Sequence, residues 1–146
     1  MEIVTRFLDT IISNLDRYWD EPRSYAGALE RGESDPGSQE TLGLLHPDVR
    51  WVDALGGVRE GRLAFAQGAD ELLQLQTSYS LAIVEVTDLG GDQVLATLRV
   101  SMKGIRSEAA AGMLLHVLIA VRDGLLADYV EYTTRTEALK AAGLAE

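Results

Sequence analysis

Four ionisable side chains stand where the strands of this sequence are otherwise apolar: Asp53, Arg99, His116 and Glu131. Arg99 follows Val94-Leu95-Ala96-Thr97-Leu98, with Ser101 on its face, and His116 breaks the apolar run from Met113 to Val121. Glu131 lies between Val130 and Tyr132, and Asp53 closes Trp51-Val52-Asp53 just before Ala54-Leu55-Gly56-Gly57. An ionisable group is costly to bury unless it is paired or hydrogen-bonded, so such positions are candidates for a site. A carboxylate beside a substrate can act as a base, and a neutral imidazole can donate one hydrogen bond or accept a proton. Each residue also has a plainer use. Asp53 is suited to capping a turn, His116 to a core position satisfied by a neighbour, and Arg99 with Glu131 to an ion pair across adjacent strands.

The elements that must position these groups follow from the spacing of apolar residues. Val4, Phe7, Ile11, Leu15 and Tyr18 recur at helical spacing, which predicts a first helix stopping near Asp20 because Pro22 cannot sit inside it. A second helix is expected from Pro22 to Arg31, with Gly32 as its cap. Glu33 to Gly37 reads as a loop, Ser38 as the N-cap of a short helix ending near Leu45, and His46-Pro47-Asp48 as a turn. The period then changes to two. Strands are expected at Val49–Ala54, Val58–Glu60, Ser80–Asp88, Gln93–Met102, Gly112–Val121 and Leu125–Thr133, with a helix over Leu63–Leu75 between the second and third. Arg122-Asp123-Gly124 is a tight-turn signal, and a last helix runs from Thr134 to Ala142. The segment Lys103 to Ala109 is long for a hairpin loop and is expected to move and to gate a pocket mouth. Helices followed by hairpin-linked strands form the α+β pattern, here one domain over residues 1–146.

Composition narrows the partners. The chain has 146 residues, 47% of them apolar and 25% charged, an ordinary globular balance. A net charge of −10 repels phosphate backbones and anionic membranes, so neither nucleic acid nor a membrane is expected as a partner. The absence of cysteine removes disulfides, thiolate metal sites and a cysteine nucleophile. No His/Asp/Glu cluster has metal-ligand spacing, and no phosphate loop or nucleophile elbow is present. Neither metal nor cofactor is therefore expected. Met1 to Arg6 lacks the pattern of a signal peptide, and a cytoplasmic protein is the default reading.

Longer motifs carry a resemblance. Val121-Arg122-Asp123-Gly124-Leu125, Glu131-Tyr132, Thr136-Glu137-Ala138-Leu139 and Ala142-Gly143-Leu144 resemble the end of SnoaL-like proteins of the NTF2-like superfamily. Leu45 to Trp51 and Glu60-Gly61-Arg62 resemble the same group's first strand and the start of its third helix. The resemblance implies an NTF2-like cone, a curved antiparallel sheet wrapped around N-terminal helices with a central apolar pocket. In ketosteroid isomerases of this group, the context of Asp53 holds the base, and Ser24 to Gly32 is similar to the helix whose Tyr, here Tyr25, donates to the substrate oxyanion. His116 falls near their second donor. Limonene-epoxide hydrolases are similar at Arg99-Val100 and Glu131-Tyr132, but Ser101 stands in place of one of their two carboxylates.

On this reading the chain is a cofactor-independent polyketide cyclase or isomerase of secondary metabolism, of the kind met in antibiotic biosynthesis. Asp53, His116, Tyr25, Arg99 and Glu131 would carry the chemistry, and Trp51, Ser101, Leu114, Leu118 and Tyr129 would line the substrate pocket. Epoxide opening and a non-catalytic binding or dimerisation module are the alternatives. A homodimer is expected, because Met113 to Val121 is apolar on both faces.

Overall fold

The computed structural model describes residues 2–18, 25–27, 36–104 and 111–144. Most of the expected second helix and most of the Lys103 to Ala109 loop lie outside them. Among the described residues, α1 spans Glu2–Tyr18, α2 Pro36–Gly43, α3 Arg62–Gln74 and α4 Arg135–Ala141. The strands are β1 (Leu45–Val52), β2 (Val58–Glu60), β3 (Gln76–Gly90), β4 (Gln93–Gly104), β5 (Ala111–Arg122) and β6 (Leu125–Tyr132).

The strands form one six-stranded sheet in the order β2-β1-β6-β5-β4-β3. It is curved and not closed into a barrel. The sheet is antiparallel, as expected, except where β1 runs parallel to β6. The chain reaches β1 from helices and leaves it for β2, so β1 meets β6 only through a long excursion, which frees the pair from hairpin geometry. The turn expected at His46-Pro47-Asp48 appears as a break in register within β1, between Leu45 and Arg50. Proline cannot donate to a ladder, and Arg62 Nε and Nη2 hold the Leu45 carbonyl there at 2.8 and 2.6 Å. Pro36 and Gly37, read as loop, open α2 instead, since proline suits a first helical turn.

Helix α1 turns Val4, Phe7, Leu8 and Leu15 into the core, as its helical spacing requires. They meet the inner face of the sheet, which presents Leu98 and Val100 from β4, Val117 and Ile119 from β5, and Leu126 and Tyr129 from β6. The outer face is covered over part of its area by α4, whose Ala138 and Leu139 pack on Leu95. Thr134 caps that helix, its Oγ1 accepting the Glu137 N–H at 3.2 Å, a contact that satisfies one orphan amide. The hairpin between β5 and β6 turns on Asp123 and Gly124, both at positive φ, as a two-residue hairpin loop demands.

Candidate active site

Parallel pairing sets Trp51 beside Tyr129, and antiparallel pairing sets Arg59 on the other side of Trp51. Directly paired residues share a face, so the three side chains form one row on the inner face, and Asp53 and Glu131 continue it two residues along. Above this floor stand α1, the helical residues 25–27 and α3. Between them lies a cavity open to solvent at its mouth, lined by Ile11, Leu15, Tyr25, Thr41, Leu42, Trp51, Phe65, Ala69, Leu72, Leu73, Tyr79, Leu81, Tyr129 and Glu131. Phe65 packs on Trp51 with ring centroids 5.1 Å apart, and Tyr129 meets both rings edge-on at 6.4 Å. The walls are therefore apolar and aromatic, the usual lining of a small-molecule site.

Among the described residues, Glu131 is the lone carboxyl in that lining. Its Oε2 accepts the Trp51 indole Nε1–H at 3.0 Å and its Oε1 accepts the Ala54 backbone N–H at 3.2 Å. Burial raises its pKa above the ordinary carboxylate value, the two N–H donors and Arg59 oppose that rise, and the Asp53 charge adds to it. A carboxyl has capacity for more than two hydrogen bonds, so Glu131 can still exchange a proton with a molecule in the cavity.

Two phenols stand within reach of its charge. Burial, and then the Glu131 charge, raise the pKa of both Tyr79 and Tyr129, so both remain neutral O–H donors through the physiological range. Neither hydroxyl has a hydrogen-bond partner among the described residues, although both residues line the cavity. Neutral O–H donors on residues that line an apolar pocket are suited to stabilising a developing negative charge on oxygen. Tyr25 also lines the cavity, and its Oη accepts from Asn14 Nδ2 at 3.2 Å. Asp70 of α3 fixes Tyr25 in place by accepting the Tyr25 and Ala26 backbone N–H groups at 2.8 and 3.0 Å.

Asp53 has a different use from the expected base. Its Oδ1 accepts the Leu55 and Gly57 N–H groups at 2.9 and 3.0 Å, and its Oδ2 pairs with Arg59 Nη1 at 3.1 Å. Burial pushes its pKa up, but the Gly57, Arg59 and Leu55 hydrogen bonds outweigh that and leave it lowered. A carboxylate so well satisfied is a weak proton acceptor, and it is absent from the cavity lining.

His116, Arg99, Ser101, Leu114 and Leu118 do not join the cavity. Their strand neighbours Leu98, Val100, Leu115, Val117 and Ile119 belong to the inner core, so alternation turns these five to the outer face. There His116 Nδ1 meets Thr97 Oγ1 at 3.1 Å, and Arg99 pairs across the ladder with Leu114. The expected grouping of His116 and Arg99 with Glu131 is therefore corrected. Its cause is a β-bulge. The hairpin begins with Arg122 opposite Leu125 and Val121 opposite Leu126, then shifts so that Ala120 faces Asp128 and Val117 faces Glu131. Without the extra residue, Ala127, His116 would stand opposite Glu131 on the same face.

Tyr79 and Arg59 escaped sequence reasoning. The sequence pattern puts the start of the third strand at Ser80, whereas β3 starts at Gln76. Tyr79 alternates in phase with Leu81, which was the available signal. Arg59 lay in a three-residue strand too short to show a period.

Among the described residues, no helix is long and apolar enough to cross a membrane. No family model matches the chain, and no curated protein matches it in sequence. Solved structures do match. An NTF2-like protein from Anabaena variabilis superposes with a TM-score of 0.65 at 15% identity, over 91% of this chain and 87% of that one. A candidate SnoaL-like polyketide cyclase from Jannaschia sp. gives 0.60 at 17% identity, over 97% and 94%. An LEH-like epoxide hydrolase of M. tuberculosis gives 0.59 at 12% identity, over 93% and 88%. The fold is that of the NTF2-like proteins, a group containing isomerases, cyclases and hydrolases.

Proposed function

We propose that this protein is a cofactor-independent cyclase or isomerase acting on a small apolar carbonyl compound of polyketide type. The observation that carries the reading is the meeting of Glu131 with the unpartnered hydroxyls of Tyr79 and Tyr129 in one aromatic cavity. In its ionised form Glu131 takes a proton from the carbon next to a carbonyl, and the carbonyl oxygen becomes an enolate held by the two phenols. In an isomerisation, Glu131 returns that proton to a different carbon. In a ring closure, the enolate carbon bonds to a second carbonyl carbon and Glu131 gives its proton to the resulting alkoxide. Either way Glu131 ends as it began. The aromatic walls fold the substrate and hold its reacting atoms together.

The test needs no knowledge of the natural substrate. An apolar ketone such as 2-tetralone, incubated with the protein in D2O, should exchange its α-protons for deuterium faster than in buffer, as read by NMR. Exchange equal to buffer for wild type, or equal rates for wild type and Glu131→Gln, would overturn the reading. The epoxide-opening alternative draws less support, because Arg99 faces away from Glu131 and the two cannot grip one water.

We further propose that two copies pair through the outer face, where Leu114 stays 45% exposed. Sedimentation at micromolar concentration should give a dimer, and Leu114→Glu a monomer. A wild-type monomer would dismiss the idea.

A further inference from the structure

Both hydrogen bonds to the Glu131 carboxyl come from groups held by a second layer of contacts. The Trp51 indole, donor to Oε2, has Phe65 against its ring and the Arg59 guanidinium over it, 4.7 Å from the ring centroid. Ala54, donor to Oε1, sits in the turn that Asp53 closes: Gly56 N–H donates to the Asp53 carbonyl at 2.9 Å, and the Asp53 carboxylate takes the Leu55 and Gly57 amides. The Arg59–Asp53 ion pair at 3.1 Å joins the two halves. Two glycines leave room for it. A Cβ at Gly57 would meet Asp53 Oδ2 at 2.6 Å, and a Cβ at Gly68 would clash with Arg59 Cδ and Nε. Glycine inside a helix is destabilising relative to alanine, and Gly68 lies inside α3. The approach of Arg59 gives that cost a reason.

We propose that Arg59 and Asp53, accommodated by Gly68, are positioning residues that clamp the Trp51 indole and the Ala54 amide onto Glu131 and so set the direction and proton affinity of its carboxyl. The inference rests on the reading of Glu131 as the acid–base group. Arg59 acts by lying over an aromatic face while pairing with a carboxylate, a combination an ammonium does not reproduce. Among the described residues, the ionisable groups whose charges bear on Glu131 or its neighbours are Asp53, Arg59, Tyr79 and Tyr129. They do not act alike. Arg59 favours the ionised carboxyl, Asp53 opposes it, and the two phenols stay neutral.

The test follows the Trp51 indole N–H by 15N NMR. The chain has two tryptophans, so a Trp19→Phe background leaves one indole peak, and its shift against pH reports its partner, Glu131. The transition should vanish in Glu131→Gln. Arg59→Ala should move its midpoint upward in pH, and Gly68→Ala should do so too while retaining both charges. Arg59→Lys should fall between wild type and Arg59→Ala. Asp53→Asn, which can still accept the turn amides, should move it downward. Ketone exchange should fall between about 10- and 100-fold in Arg59→Ala, the scale of a misplaced catalytic group. A merely structural role would lower thermal stability without moving the midpoint in opposite directions. Midpoints equal to wild type in Arg59→Lys, Gly68→Ala and Asp53→Asn proteins that melt cooperatively would overturn the proposal, as would a transition that survives Glu131→Gln. If instead the midpoints move as expected but Glu131→Gln keeps full exchange activity, the clamp stands and the catalytic reading of Glu131 falls.

Discussion

The two faces of the sheet carry similar polar side chains in unlike surroundings. On the inner face, Glu131 lies among aromatic rings with two N–H donors on its oxygens and a raised pKa. On the outer face, His116 has a threonine hydroxyl for company and Arg99 is exposed. All three interrupt apolar strands. What separates them is parity: a side chain one residue along a strand points the opposite way. An ionisable residue in an apolar strand is thus half of a prediction, and the register that assigns its face is the other half.

The contrast can be broken most sharply by activity. Glu131→Gln should cost about 10²–10⁴-fold in ketone exchange, the usual contribution of an acid–base group. Removing one donor, as in Tyr79→Phe, should cost about 10-fold or more. His116→Ala and Arg99→Ala should stay within about twofold, since neither touches the cavity. A large loss in either outer-face variant would undo the division drawn above.

Stability offers a second cut. Leu98 is 1% exposed on the inner face and Leu114 45% exposed on the outer. Leu98→Ala should destabilise by about 2–5 kcal/mol in urea unfolding, whereas Leu114→Ala in the monomer should change stability by about 0.5 kcal/mol or less.

The smallest effect, and the finest, is in the pH dependence. Glu131 has its pKa raised on folding, so its contribution to stability is complete below the ordinary carboxyl range and is lost as pH rises through the folded value. Asp53 has its pKa lowered, so its contribution is present above the ordinary value and is lost as pH falls through the folded one. Glu131→Gln should therefore gain on wild type as pH rises, while Asp53→Asn, also missing part of its hydrogen bonding, should lose about 1 kcal/mol at neutral pH. Denaturant midpoints measured across pH would show the two trends diverging. Parallel trends would mean that the two carboxyls share one environment. Exchange activity should rise with pH through the folded value of Glu131, because the base must be ionised to take a proton.

Much of the fold is legible in the sequence because its signals are local. The period of two in β4, the unbroken apolar run of β5, the Asp123-Gly124 turn and the Thr134 cap each act within a few residues and appear where local chemistry puts them. The cavity is less legible, since its lining comes from α1, residues 25–27, α2, α3 and three strands, β1, β3 and β6. Trp51 and Tyr129, expected in the pocket, and Tyr25 and Glu131, expected to carry chemistry, all line the cavity. Tyr79 was hidden by two flanking serines that made the strand seem to begin later. His116 was misplaced by Ala127, for no motif marks an alanine that enters a strand as an extra residue. A hairpin without that bulge would have made the first grouping correct for His116.

The parallel pairing of β1 with β6 has a consequence in time. Trp51 and Glu131 are 80 residues apart in sequence, and closing such a loop is among the slower steps available to a small domain. Hairpins from β3 through β6 can form early from neighbouring residues, whereas the cavity floor must wait until the chain has been synthesised past Glu131 and its first strand has docked. Folding intermediates of this protein would then possess most of their sheet and none of their binding capacity. A ligand that enters the cavity would act late, by slowing unfolding.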